Sequence, residues 1–237
     1  MKKNALLCCA GLLITSLLPV HGQNVLSKKE KQQGWKLLFD GTTTNGWHTY
    51  QKDKAGSAWI VKDGALTFNP DAPQADHGDL VTNSEYENYD LQLEWKISPE
   101  GNSGIIFGIK EDPKFGQTYD TGIEMQVLDN IGASDNKLPN HLAGTLYDLI
   151  GSREVSKPKA VGEWNKARIL KKNGEITLWL NGIQTAHVKI GSEEWNTLLN
   201  KSKFKTWPNF AKYPTGKISL QDHGHIVAYR DIKIKLL

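Results

Sequence analysis

Between Gly122 and Asn130 the chain reads Gly-Ile-Glu-Met-Gln-Val-Leu-Asp-Asn, a run dense in groups that could do chemistry. In an extended chain, period two sends Ile123, Met125 and Val127 to one side and sets Glu124 and Gln126 together on the other. A mid-strand carboxyl can take or give a proton, and an amide beside it can hold a hydroxyl or carbonyl oxygen. Asp129, at the end of the run, is a further acid candidate. A solvated sheet face would alternate in the same way, so the pair alone does not make a site.

A second constellation lies in Ser219-Leu-Gln-Asp-His-Gly-His225. Alternation puts Ser219, Gln221 and His223 on one face and sends Ile218 and Leu220 into the core. An imidazole at a strand end can move a proton near neutral pH, although a histidine that only ties down a turn would look the same. The loop from Leu138 to Asp148 adds His141 and Tyr147, which suit contacts to a sugar. Asp120, Asp129, Asp135 and Asp148 carry oxygens that suit calcium, but their spacing matches no dense loop motif. A divalent cation stays open, and no metal ligand is assigned. Among Trp47, Trp164, Trp179, Trp195 and Trp207, the pattern favours Trp179 as a sugar platform, because Ile176, Leu178 and Leu180 point the other way.

Short strands must position these groups. Leu91–Ile97 alternates apolar and polar residues, and residues 105–110 form a more apolar strand after the Gly101-Asn-Ser-Gly104 turn, so the two are expected to pair as a hairpin. Asn173-Gly174 and Asn181-Gly182 punctuate residues 167–190 into an antiparallel meander. Residues 218–223 and 226–237 are two closing strands. Only Ser192–Asn200 reads as a helix, with Glu193 and Glu194 in its first turn. The fold expected is an all-β antiparallel sandwich with one short helix and a polar groove that suits extended sugars.

The 237 residues include 8 Trp, 7 Tyr and 22 Gly, with 29 basic against 26 acidic side chains. Met1-Lys2-Lys3, an apolar run from Ala5 to Val20 and a small-residue site before Gln23 read as a secretory signal over residues 1–22, with one domain over 23–237. The apolar run is shorter than the roughly 20 residues that span a bilayer. No integral membrane segment is therefore expected in the mature chain. Cys8 and Cys9 both fall in the leader, so stability must come from the core rather than from disulfides. With the leader goes most of the small positive excess, and no basic stripe remains to attract nucleic acid or anionic lipid. A near-neutral, Trp-rich surface suits an uncharged carbohydrate. Residues 23–33 read as a loose, polar lead-in.

Several segments in order resemble the 3-keto-disaccharide hydrolase family. They are Gly34-Trp-Lys-Leu-Leu-Phe-Asp-Gly41 with Gly46-Trp47, Gly101-Asn-Ser-Gly-Ile105, Gly122–Asp129, and Gly162-Glu-Trp-Asn165. Leu180-Asn-Gly182, Ser202-Lys-Phe204, and Gly216–Gly224 with Tyr229-Arg230 continue the likeness. The resemblance implies a concanavalin A-like jelly roll, a periplasmic location, and cleavage of glycosides already oxidised to a ketone at carbon 3. The Glu124 strand also resembles the Glu, Asp, Glu strand of concanavalin A-like glucanases, but Gln126 stands for the middle Asp and Asp129 for the last Glu. Retaining glycosidases need two carboxyls roughly 5 Å apart, so the loss favours another route. A ketone at carbon 3 acidifies the hydrogen on carbon 2, which permits elimination at carbon 1 and then addition of water. On this reading Glu124 or His223 is the base and Gln126 and Lys110 are donors to the ketone or hydroxyls. Asp129 plays a supporting or acid role, and His141, Tyr147, Trp179, Gln221 and Arg230 contact the sugar. A non-catalytic carbohydrate-binding module and a retaining glucanase are the competing readings.

Overall fold

A computed structural model of the chain describes residues 23–72 and 74–237. The leader expected over residues 1–22, with both cysteines, lies outside the described residues. In chain order the strands are β1 (Trp35–Leu37), β2 (Trp47–Thr49), β3 (Trp59–Lys62), β4 (Ala65–Phe68), β5 (Leu80–Thr82), β6 (Tyr89–Ile97) and β7 (Asn102–Ile109). They continue as β8 (Ile123–Leu128), β9 (Asn165–Lys172), β10 (Glu175–Leu180), β11 (Ile183–Lys189), β12 (Lys217–Leu220) and β13 (Val227–Leu236). Helix α1 spans Lys28–Gln32 and α2 spans Glu193–Lys201.

Two antiparallel sheets face each other, as in the concanavalin A-like sandwich. One has eight strands in the order β11-β10-β9-β6-β13-β4-β3, with β1 beside β13; the other has five in the order β2-β5-β12-β7-β8. Leu91, Leu93 and Trp95 of β6 meet Ile105 and Phe107 of β7, Ile123, Met125 and Val127 of β8, and Ile218 and Leu220 of β12 in one core. Burial of this apolar surface is the main force holding the layers together. The expected meander is present as β9-β10-β11. Its two tight turns place Asn173, Gly174, Asn181 and Gly182 all at positive φ, the backbone that fits the strand twist and that Asn-Gly adopts at least cost.

The expected hairpin between the sixth and seventh strands does not form. β6 pairs with β9 and β13, whereas β7 pairs with β8 and β12 in the other sheet. The turn closes earlier, with the Gly101 N–H donating to Ser98 O at 3.1 Å, and residues 102–104, read as turn, begin β7. Glycine and asparagine mark a change of direction without saying which layer the chain enters next. The last two strands likewise lie in different sheets.

The lead-in is ordered too. Ser27 caps α1 through a reciprocal box with Glu30, and Glu30 pairs with Lys233 of β13. Asn24 is buried; its N–H donates to Asp231 Oδ1 at 2.5 Å and its side-chain amide donates to Gly64 O at 2.8 Å. Helix α2 is capped by Ser192 and buries Trp195, and Ser202 starts a 3₁₀ turn over Lys203–Thr206. Phe204 in that turn stacks on Phe210 at 3.9 Å between centroids, and Trp195 lies parallel to Phe210 as well. No described helix is long and apolar enough to cross a membrane.

Asn24→Ala removes the side-chain bonds to Gly64 O and from Asp231 N–H, so it should lower unfolding free energy by about 1–3 kcal/mol in a denaturant titration.

Candidate active site

Register alone builds a small grid on the outward face of the five-stranded sheet. Ile106 pairs with Glu124 on one side and with Ser219 on the other, and Gly104 pairs with Gln126. One step further, the Gln221 N–H donates to Gly104 O at 2.9 Å. Glycine therefore occupies the middle of the row Gln221, Gly104, Gln126. That gap is filled by Glu124, whose Oε1 would lie 2.2 Å from a Cβ built on Gly104. Glycine is needed here for close approach rather than for its φ.

A cleft of about 380 Å³ stands over this grid. Its floor is Asn102, Glu124, Gln126 and Gln221, and its walls include Tyr119, Tyr147, Lys203, Phe204, Trp207 and Asp135. Tyr147 reaches it because residues 144–147 run along the free edge of β8, with the Gln126 N–H donating to Thr145 O and the Tyr147 N–H to Glu124 O. Lys203 Nζ lies 4.3 Å from the centre of the Tyr147 ring and 5.2 Å from that of Phe204.

Burial pushes the Glu124 carboxyl up to about 8; the charge of Lys203 opposes the shift, and Asp79 and Asp135 add to it. Asp79, just before β5, is itself raised to about 6 by burial. Burial also lifts the Tyr147 hydroxyl well above the usual phenol range, and its bond to Asp135 acts in the same direction. Asp135 is fully engaged: Oδ2 accepts from the Tyr147 hydroxyl at 2.9 Å and Oδ1 sits 2.7 Å from His141 Nδ1. His141 Nε2 reaches Asp148 Oδ1 at 3.1 Å, and Asp148 Oδ2 accepts from the Lys203 N–H at 2.7 Å. This brace ties the loop after β8 to the 3₁₀ turn and so fixes both Tyr147 and Lys203.

Of the residues singled out in the sequence, Glu124, Gln126, Tyr147, Gln221 and His223 line the cleft together. His223 is exposed at its rim, past the end of β12, and stacks on His225 at 6.1 Å. His141 lies behind Tyr147, 4.5 Å ring to ring, and braces the cleft without lining it.

Four others do not join. Asp129 caps its own turn, accepting from Glu100 and Ile131 N–H groups at 2.9 Å each. Burial there works upward, but the amides of Ile131, Glu100 and Gly132 outweigh it and keep the carboxyl below its usual range. Lys110 points to solvent and pairs with Glu85 at 3.5 Å. Trp179 and Arg230 line a separate cavity of about 760 Å³ over the outer face of the eight-stranded sheet. There Arg168 covers Trp179 at 4.5 Å, while Arg230 bonds Glu94 and lies 4.0 Å from the centre of Trp164. Alternation sends Trp179 outward, as found, but outward from the other layer, and Arg230, which the resemblance implies as a sugar contact, lies on that layer too. The aspartates considered for calcium are also dispersed: Asp120 accepts from Gln117 N–H, while Asp135 and Asp148 flank His141. No group of three or more His, Cys, Asp or Glu among the described residues is arranged to hold a metal ion.

Nothing in the sequence pattern marks Lys203, Asp135, Asn102 or Tyr119 for sugar contact, or sets Trp207 apart from the other tryptophans. Lys203 starts a 3₁₀ turn and Trp207 directly follows it, a stretch with no periodicity to read. Asn102 lies in a Gly-Asn-Ser-Gly run that reads as a turn, although it starts β7.

Residues 34–235 match the model of a family described as a 3-keto-alpha-glucoside-1,2-lyase-like domain. The chain belongs to this family. It is 35% identical over 229 residues to a Bacteroides thetaiotaomicron protein named 3-keto-disaccharide hydrolase, covering 86% of this chain and 79% of that one. A Parabacteroides distasonis crystal structure, provisionally described as a glycosyl hydrolase, superposes with a TM-score of 0.81 at 31% identity, covering 91% of this chain and all of the other. A second structure from that organism, described in the same way, gives 0.66 at 25% identity over 86% of this chain and 99% of its own.

Gly104→Ala forces the Glu124 carboxyl out of its place against the sheet. Because a displacement of about 1 Å at a reacting group can cost a factor of about 100, turnover should fall by about that factor. The melting temperature should change little, since the displaced atoms are the end of a side chain.

Proposed function

We propose that this chain, a glycoside hydrolase by family and relatives, cleaves 3-keto glycosides by elimination followed by hydration. The observation that carries the reading is a half-buried carboxyl, Glu124, whose oxygens are free of the brace and which is raised to about 8 beside a lysine and an amide. Proton abstraction from carbon benefits from a base of raised pKa near the working pH.

In this scheme Glu124 takes the proton from carbon 2. The electron pair moves onto the carbon-3 oxygen, where Lys203 and the Gln126 amide stabilise the enolate. Collapse of the enolate re-forms the ketone and expels the group on carbon 1, which takes a proton from His223 at the rim. Water then adds to carbon 1 of the resulting enone, giving up a proton that restores His223, and carbon 2 recovers its proton from Glu124, so the net change is hydrolysis. The family description as a 1,2-lyase-like domain supports the elimination half, and the hydrolase name of the Bacteroides relative supports the second. A retaining displacement is less well supported, because the other carboxyl lining the cleft, Asp135, has both oxygens engaged. The apolar leader supports export of the protein.

Incubation with 3-keto glycosides and the same glycosides unoxidised should give cleavage of the first set only. In deuterated water, the released 3-keto sugar should carry deuterium at carbon 2. Cleavage of unoxidised substrates without that label would overturn the reading.

The rate should climb with pH toward about 8, where Glu124 ionises. Lys203→Met should move this limb to higher pH, since the lysine holds the carboxyl down. Stability should run the other way. The unfolded chain releases this proton near 4.5 and the folded chain near 8, so rising pH favours unfolding across that window. Glu124→Gln should therefore lose turnover while gaining melting temperature over wild type between those values, with the gain levelling off above pH 8.

A further inference from the structure

The ladder between β5 and β12 ends at Leu80 and Leu220, and beyond it side-chain carboxyls hold the two segments together. Asp79 Oδ1 accepts from the Asp222 N–H at 2.8 Å. Asp222 Oδ2 accepts in turn from the Gly78 N–H at 2.9 Å and lies 3.1 Å from His77 Nδ1. The other oxygen of Asp79 accepts from the hydroxyl of Thr118, which is buried in the 3₁₀ turn Thr118–Asp120. Each partner sits beside residues that line the cleft, Asp222 between Gln221 and His223 and Thr118 next to Tyr119. Asp79 is half-buried and does not itself line the cleft, yet its carboxyl joins two of the cleft's walls. Across the outer face the order is Asp79, Gln221, and then the Glu124 carboxyl lying against Gly104.

We propose that Asp79 is a positioning residue for the reaction, fixing the strand end that carries Gln221 and His223 to the turn that carries Tyr119 and setting a negative charge behind the cleft floor. The inference rests on the reading of the cleft as a 3-keto glycoside site and adds to it a residue that the substrate does not touch. Burial is the main cause of the raised pKa of Glu124; Lys203 acts against it, and Asp79 and Asp135 add to it. Like charge favours the protonated form of a neighbouring acid. Asp79, raised to about 6, is ionised over the range in which Glu124 titrates. Lys203 and Asp135 act on Glu124 from the turn after α2 and the loop after β8, and Asp222 acts on Asp79 from beyond β12. The phenols of Tyr119, Tyr147 and Tyr229 face one or both acids from the 3₁₀ turn, the edge of β8 and β13. His77 is held by Asp222, and His223 stands at the rim.

The test uses Asp79→Asn and Asp79→Ala in the full protein, with a 3-keto glycoside. Asparagine can keep both links, its oxygen accepting from the Asp222 N–H and its nitrogen donating to the Thr118 hydroxyl, but it carries no charge. Asp79→Asn should leave hydrogen exchange at the Asp222 amide near that of the wild type and move the rising limb of kcat against pH downward by about half a unit or more. Asp79→Ala should move the limb likewise, speed exchange at the Asp222 amide by about tenfold or more, and lower kcat/KM above the limb by about tenfold or more. A merely structural residue would lower melting temperature and activity without moving the limb. A limb unmoved in Asp79→Asn, or Asp222 exchange in Asp79→Ala equal to that of the wild type, would overturn the proposal. Should Asp79→Ala fail to fold, the limb of Asp79→Asn decides alone. If the wild type cleaves no 3-keto glycoside, the functional reading fails by itself. The clamp and its charge are then judged by Asp222 exchange and by a carbon NMR titration of glutamate-labelled protein, with the Glu124 signal assigned from its loss in Glu124→Gln. A lower Glu124 midpoint in Asp79→Asn upholds the proposal, and equal midpoints overturn it.

Discussion

The β7–β8 register places a glycine beside Gln126 and an isoleucine beside Glu124, and the geometry of the cleft follows from that pairing. With no side chain at Gly104, the Glu124 carboxyl can lie flat across the neighbouring strand rather than extend into water. Once there, it is desolvated, which favours its neutral form and turns an ordinary acid into a group that titrates near neutrality. A slip of one residue between the two strands would exchange every core and cleft residue of β8, so the hydrophobic packing of Ile123, Met125 and Val127 also enforces the position of the carboxyl.

A half-buried acid of this kind needs surroundings that neither quench it nor compete with it. The protein supplies one cation, Lys203, held over aromatic rings and anchored at its backbone by Asp148. The other nearby acid, Asp135, is occupied by Tyr147 and His141. Charge is thus present around Glu124 but assigned, leaving Glu124 as the cleft carboxyl whose oxygens are not committed to the brace. The brace itself joins two segments distant in the chain, the loop after β8 and the turn after α2. The aromatic stacking of Phe204 on Phe210 gives that turn a rigid seat.

The outer face of the eight-stranded sheet is organised by different physics. Arg168 and Arg230 are matched to Asp90 and Glu94 and laid over Trp179 and Trp164. Guanidinium groups stack on indoles while bonding carboxylates through their edges, so these aromatics are already covered by the protein's own cations. The two faces share an alternation pattern and differ in what their side chains meet.

Local alternation was sufficient to read most strands, the meander and its Asn-Gly turns, α2 and the inward or outward sense of Glu124, Gln126, Ile218 and Leu220. These depend on period two or on turn residues, which act over a few positions of the chain. Motifs in order carried the family. What the chain could not display locally was which layer each strand joins. The supposed β6–β7 hairpin failed for that reason, and for the same reason Trp179 and Arg230 fell on the far side of the molecule from Glu124. The partners of the base, Lys203 and the Asp135–His141–Asp148 brace, come from loops and a 3₁₀ turn, where side-chain direction follows no period and is set only by packing. The sequence by itself determined the strands from β6 onward, their buried sides and a carboxyl on a polar face, but not the short strands β1 to β5. Tertiary structure alone decided that this carboxyl lies half-buried against a glycine, faces one lysine, and shares its cleft with Asn102 and Gln221, because those relations arise from pairings across the sandwich.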